Sequence, residues 1–199
     1  MAPTCFTEQI MLTLSEAEKK TLLELACQSI QRKLEHSEPL DLNTADYRNE
    51  NFQQIYGSFV TLKHNNQLRG CIGLLQGQSI LIEDIANNAL AAAFNDHRFA
   101  PLSQQELDEI QISITVLSDL QPISFTSETD LIAQIRPNID GLVVQESTYQ
   151  GTFLPAVWDM LPQPQIFWRQ LKLKAGLPSN YWSTTLKVFR YTALSFSTD

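Results

Sequence analysis

Apolar side chains return every three or four positions at Leu22, Leu25, Ala26, Ile30 and Leu34, which predicts an amphipathic helix. Ser15 followed by Glu18 gives it a capping box, and it should fade between Glu35 and Ser37, ahead of Pro39. From Pro39 to Gln54, Asp, Asn and Glu recur between few apolar anchors, the pattern of a surface connection with at most a short helical turn. Ser58 to Lys63 and Leu68 to Leu75 are strand-like runs around His64-Asn65-Asn66-Gln67. Adjacent asparagines tolerate the positive φ of a tight turn, so the two runs predict a hairpin.

After Gly77, Ser79 is placed to cap a helix whose apolar residues run from Ile82 through Ile85, Ala86, Ala89, Leu90 and Ala93 to Phe94, with Glu83 and Asp84 at its favourable end. Ser103 and Glu106 repeat the capping-box pattern for a short helix, and Ile110, Ile112, Ile114 and Val116 alternate as a strand. Beyond Pro122 the elements shorten. A helix from about Glu128 should stop before Pro137, Asp140-Gly141 should turn into a strand at Leu142 to Glu146, and Thr152 to Leu154 reads as the second arm of a hairpin. A helix from Gln165 to Ala175 ends at Gly176, with Pro178 just beyond. Thr185 to Phe196, rich in β-branched and aromatic residues, reads as one long strand returning to the first sheet. This divides the chain into a larger subdomain of residues 1–120 and 184–199 and a smaller inserted subdomain of residues 121–183.

With 199 residues, 43% hydrophobic and 18% charged, the chain can bury a sizeable core and disorder is not expected. A formal net charge of −8 and a pI of about 4.8 oppose nucleic-acid binding. The carboxyl-terminal end differs: Arg169, Lys172, Lys174, Lys187 and Arg190 face the single acid Asp199, read here as a solvated helix face and a charge-protected strand edge. Cys5, Cys27 and Cys71 form no CxxC pair, which fits a reducing cytoplasm. Met1 to Thr13 lacks the build of a signal peptide, and no apolar run approaches the roughly 20 residues that span a bilayer, so a soluble, unprocessed protein is expected.

The candidate chemistry concentrates in Leu68-Arg69-Gly70-Cys71-Ile72-Gly73. Strict alternation would turn Leu68, Gly70 and Ile72 one way and Arg69, Cys71 and Gly73 the other, bringing the Arg69 charge beside the Cys71 sulfur and favouring thiolate. The same residues also admit a packing role for Cys71, since a free cysteine behaves as a small hydrophobe. Gly70 and Gly73 mark a bulge or a close approach of another backbone or a ligand. Asp96 and Arg98, beside Phe99, either line a polar cleft or lock the helix exit to a neighbouring strand, and the lock is favoured. His64 and His97 are the available bases, both read as surface histidines. No spacing of metal ligands and no phosphate loop is present in the sequence, so no metal site is expected, and whether a cofactor is used is left open. Trp158, Phe167, Trp168, Tyr181 and Trp182 read as core packing of the smaller subdomain rather than a recognition surface.

The hexapeptide, together with Asp84 to Phe94, Asp96-His97-Arg98-Phe99, Asp140-Gly141-Leu142, Phe153-Leu154-Pro155 and Lys174-Ala175-Gly176-Leu177-Pro178, resembles the AMMECR domain family, in particular its bacterial branch, AmmeMemoRadiSam system protein A. The resemblance covers most of the chain. It implies an α+β fold of two subdomains, each an antiparallel sheet with flanking helices, with the hexapeptide directed toward a cleft between them. It also implies genomic company with a Memo-like protein and a radical SAM protein, and no established reaction. His97 stands where the family often has proline, and Lys172 where many members have cysteine.

Two functions follow. In the first, the protein is an enzyme or enzyme component with Cys71 as nucleophile and Arg69 as charge stabiliser, while Leu68, Gly70, Ile72, Gly73, Asp96 and Arg98 form the cleft; a protein or another large molecule is its substrate. In the second, it is a non-catalytic module that binds a protein segment in the same cleft.

Overall fold

A computed structural model describes residues 13–198. The readings made of Met1 to Leu12, including Cys5, and of Asp199 lie outside the described residues. The fold is α+β, and the described residues form two antiparallel four-stranded sheets and four α-helices.

Helix α1 (Glu16–His36) begins at the expected capping box, where the Glu18 backbone N–H donates to Ser15 Oγ and the Ser15 N–H donates back to the Glu18 carboxylate. It ends at Ser37, which takes the left-handed conformation at φ 60. The surface connection contains two short 3-10 turns, Thr44–Asp46 and Glu50–Gln53. Strands β1 (Gly57–His64) and β2 (Gln67–Leu74) form the expected hairpin, with Asn65 and Asn66 at φ 51 and 61. Helix α2 (Leu81–Phe94) starts without a side-chain cap: the Ser79 hydroxyl donates to the nearly buried Asp84 carboxylate instead of accepting from the helix. Ser103 and Glu106 hydrogen-bond as expected, but only a 3-10 turn, Leu107–Glu109, follows them into β3 (Ile110–Leu117).

The remaining elements are β4 (Gln121–Pro122), α3 (Glu128–Gln134), β5 (Gly141–Glu146), β6 (Tyr149–Phe153), α4 (Pro164–Lys174), β7 (Lys187–Tyr191) and β8 (Ala193–Ser197). The first sheet has the order β2-β1-β3-β8 and the second β4-β7-β5-β6. The expected single strand Thr185 to Phe196 is therefore two strands in different sheets, and sheet membership changes at Thr192 rather than near residue 184. Ser118 and Thr192 tie the crossing: Ser118 N–H donates to the Thr192 carbonyl at 3.0 Å and Thr192 N–H to Ser118 Oγ at 2.9 Å.

Each sheet buries one face under its own helices. Val60, Leu62, Ile112, Ile114 and Val116 pack with Leu22, Leu25, Ile30, Ile85 and Ala89 in the first core. In the second, Leu142, Val144 and Val188 pack with Phe167, Trp168 and Leu171, and Trp158 stacks on Phe167 at 3.8 Å between ring centroids. Trp158, Phe167 and Trp168 are core residues, as their spacing suggested, whereas Trp182 is more exposed and tilts against Phe125. The opposite faces meet along a smaller seam of Leu117, Val143 and Tyr191, flanked by Phe59, Leu75, Leu154 and Phe189. Tyr191 fits there because Gly141 has no side chain to meet its ring, and its hydroxyl shares hydrogen bonds with Thr152 Oγ1 and the Phe153 carbonyl. Burial pushes its phenol up to about 12.

Lys172 corrects the reading of a solvated basic face. Its ammonium is buried on α4 and donates to Glu128 Oε1 at 2.6 Å and to the Tyr181 carbonyl at 3.1 Å, while Trp168 Nε1 donates to the same carboxylate oxygen. Arg190 is likewise engaged, donating to the Gln134 carbonyl and lying 3.8 Å from the fully buried Asp140 carboxylate. Among the described residues no helix is long and apolar enough to cross a membrane.

Candidate functional site

Residues Leu68 to Gly73 lie on β2, an edge strand of the first sheet. The pairing places Leu62 opposite Gly70 and Lys63 opposite Leu68, so Arg69 is an extra residue, a bulge next to Gly70. Alternation is broken at that point. From Gly70 onward it holds: Gly70 and Ile72 turn toward α2, while Cys71 and Gly73 pair with Thr61 and Phe59 on the other face.

Both glycines are required by neighbouring backbone. A Cβ on Gly70 would sit 2.1 Å from the Ala92 carbonyl oxygen of α2, and one on Gly73 would sit 2.0 Å from the Ser58 oxygen of β1. The two glycines thus record the close approach of a helix and a strand. Leu68, by contrast, is exposed.

The bulge redirects Arg69. Instead of standing beside the sulfur as strict alternation suggested, its guanidinium grips Glu106, Nε to Oε1 at 2.7 Å and Nη2 to Oε2 at 3.3 Å, and lies 5.9 Å from the Phe99 ring centroid. Its Nη1 is buried with no hydrogen-bond partner among the described residues. Arg69 and the Ser103 N–H and hydroxyl together hold the Glu106 carboxyl well below its ordinary range, at about 2.

The guanidinium that contacts Cys71 belongs to Arg98. The loop after α2 carries Asp96 and Arg98 to the outer edge of β2, where Asp96 Oδ2 accepts from the Cys71 backbone N–H at 2.9 Å and Arg98 Nη2 donates to the Cys71 carbonyl at 3.3 Å. Arg98 also closes on Asp96 through Nε and Nη2, at 2.9 and 2.6 Å. Asp96 is buried and its carboxyl is held far below the carboxylate range, first by Arg98 and then by the Cys71 N–H. Arg98 is correspondingly held more firmly protonated, chiefly by Asp96, with a smaller contribution from Cys71. The expected lock of Asp96 and Arg98 is present, and its target is the hexapeptide strand.

Cys71 is half-buried and reduced, and the Thr61 hydroxyl of β1 donates to its Sγ at 3.3 Å. Thr61 and Glu106 were not singled out from the sequence. Glu106 carried a local sign, its capping-box spacing from Ser103; Thr61 carried none, because its role depends on cross-strand register. The histidines are elsewhere: His64 Nε2 lies 2.7 Å from Glu109, and His97 is exposed. Among the described residues no cluster of three or more His, Cys, Asp or Glu is arranged to hold a metal ion. Beside the hexapeptide a depression of about 540 Å³ draws its lining from both sheets and the loop after β2, including Phe59 and Gly73 from the first sheet, Leu75, Gln76 and Gln78 from the loop and Gln150 from β6.

The family model named AMMECR1 matches residues 23–196. The chain belongs to the AMMECR1 family. It is 34% identical over 192 residues to a protein of Methanothermobacter thermautotrophicus, covering 94% of this chain and 97% of the relative. A Thermotoga maritima protein is 37% identical over 146 residues, covering 72% and 78%. Among solved structures, the uncharacterized protein PH0010 from Pyrococcus horikoshii superposes with a TM-score of 0.77 at 28% identity, over 90% of both chains. The two-sheet arrangement of this AMMECR1 chain is thus shared with a crystal structure, and the relatives are mostly archaeal.

Proposed function

We propose that this AMMECR1-family protein is an enzyme or enzyme component that works through Cys71 as nucleophile, with Thr61 and Arg98 as the donors that meet it. The observation that carries this reading is the convergence on one residue of three side chains from two elements: Thr61 from β1 on the sulfur, and Asp96 on the N–H and Arg98 on the carbonyl from the loop after α2. The thiolate is the form of a cysteine that attacks electrophiles, and the Thr61 hydroxyl and the Arg98 guanidinium are the donors beside this one. Asp96 holds the strand at a fixed height against the loop, and Arg69 braces the bulge through Glu106. The substrate, a protein or another large molecule, is presented at the depression between the sheets. The hexapeptide and its supporting segments also support membership of the AmmeMemoRadiSam branch, with a Memo-like protein and a radical SAM protein as partners and the reducing cytoplasm as location.

A second reading, a binding module without chemistry, is favoured by a specific observation. Gly70, Gly73 and Arg69 each have a packing or ion-pair use, so the motif does not by itself require catalysis.

The test is alkylation of Cys71 in the folded protein at neutral pH, with Cys5 and Cys27 replaced by serine. Reaction in the folded state that slows in Arg98→Gln, with Arg69→Ala acting less, is the expected result. A thiol that reacts only on unfolding would overturn the nucleophile and leave the binding module.

A further inference from the structure

In an antiparallel ladder, successive residues turn their N–H and C=O alternately toward the partner strand and away from it. Cys71 is turned away from β1, because its N–H and carbonyl meet Asp96 and Arg98 on the outer edge. The register runs unbroken from Gly70 to Leu74, so Gly73 has the same parity and its peptide groups also face outward. No loop meets them: outside the ladder, Gly73 has no backbone hydrogen bond among the described residues. The edge of β2 is therefore clamped at one position and open at the next.

The open position is also where Gly73 lines the depression between the sheets. In a chain with 22 acidic and 14 basic residues, none of the residues lining it is charged. Gln76, Gln78 and Gln150 supply amide donors and acceptors, and Phe59 and Leu75 supply apolar surface. This is the chemistry that receives a peptide bond and an uncharged side chain, while burying a charge there would have no compensating partner.

We propose that the β2 edge at Gly73 takes an extended, uncharged peptide segment of another protein as an added strand, with one of its side chains seated in the depression. Outward peptide groups give such strand addition its affinity and alternate side-chain pockets its selectivity. The Asp96–Arg98 clamp closes the edge at Cys71, so it sets the register and stops the peptide beside the thiol. The inference rests on the reading of this edge as the functional one, and it names the class of partner that reaches it.

The probes are end-capped hexapeptides alternating valine or phenylalanine with glutamine, and the same peptides N-methylated at every second peptide nitrogen. Titrated into the full chain and followed by amide NMR, the unmodified peptides are expected to shift the Gly73 amide and the Gln76, Gln78 and Gln150 side-chain amides saturably and to slow exchange at Gly73. N-methylation in one of the two registers should weaken binding at least tenfold, and so should Gln150→Lys, an exposed substitution on β6. Cys71→Ser should bind as well as the parent, which separates this inference from the thiol chemistry. Absence of saturable shifts up to millimolar peptide, shifts on another surface, equal binding of both N-methylated registers, or equal binding of glutamate-containing peptides would each overturn it. Failure here with folded-state alkylation intact would leave the nucleophile standing.

Discussion

The two sheets handle their charged residues in opposite ways. Around the second sheet, Lys172 on α4 and Asp140 just before β5 are buried and surrounded by fixed partners, Glu128 and the Tyr181 carbonyl for the one, Arg136 and Arg190 for the other, against a core of stacked aromatics. In the first sheet the charges gather at an edge, where Asp96, Arg98, Arg69 and Glu106 hold the outside of β2 and leave a half-buried thiol between them. Interior ion pairs fix a packing arrangement. The edge pairs do something different: they substitute for a missing neighbouring strand and keep the backbone around Cys71 in place without covering it.

The largest effect that sharpens this contrast should come from the interior. Trp158→Ala removes the ring stacked on Phe167 and should cost about 3–5 kcal/mol in urea unfolding. Next, Gly70→Ala drives a Cβ against the Ala92 carbonyl of α2 and should cost about 1–3 kcal/mol by the same measurement, whereas alanine at exposed Leu68 should be nearly neutral. If Gly70→Ala were harmless, the backbone-approach account of the glycine would fail.

The third effect depends on pH. The Glu106 carboxyl is held at about 2 in the folded protein against an ordinary value near 4.5. Its contribution is therefore complete above pH 4.5 and is lost as the pH falls toward 2. Allowing for partial exposure, Glu106→Gln should remove roughly 1–2 kcal/mol at pH 7 and almost nothing at pH 2, so the wild-type and variant stability curves should converge in acid. Parallel curves would show that Arg69 does not depend on this carboxylate. The smallest effect is kinetic: Arg98→Gln should slow folded-state alkylation of Cys71 by roughly two- to fivefold at neutral pH, since the guanidinium is half exposed.

Local features were legible in the sequence because local chemistry decides them. The Ser15 capping box and the Asn65-Asn66 turn appear where the spacing put them, and Asp96 and Arg98 form the pair that adjacency suggested. What the sequence concealed depends on register and on distant partners. The bulge at Arg69 exists only relative to β1, and it moves the guanidinium at Cys71 from Arg69 to Arg98. Tyr191-Thr192-Ala193 has the texture of one continuous strand, and only the competing pairings with β5 and β3 divide it. Lys172 has the composition of a surface helix residue, and its burial is set by Glu128, 44 positions away.

The crossing at Thr192 has an architectural consequence. β3 and β8 are antiparallel neighbours with Leu117 opposite Ala193, so the chain leaves the first sheet and re-enters it at adjacent points. Everything between is topologically a long excursion from what is otherwise a hairpin. Joining Ser118 to Thr192 through a tight turn would close that hairpin, and the order β2-β1-β3-β8 of the first sheet would then read as two consecutive hairpins with no strand borrowed from the segment between.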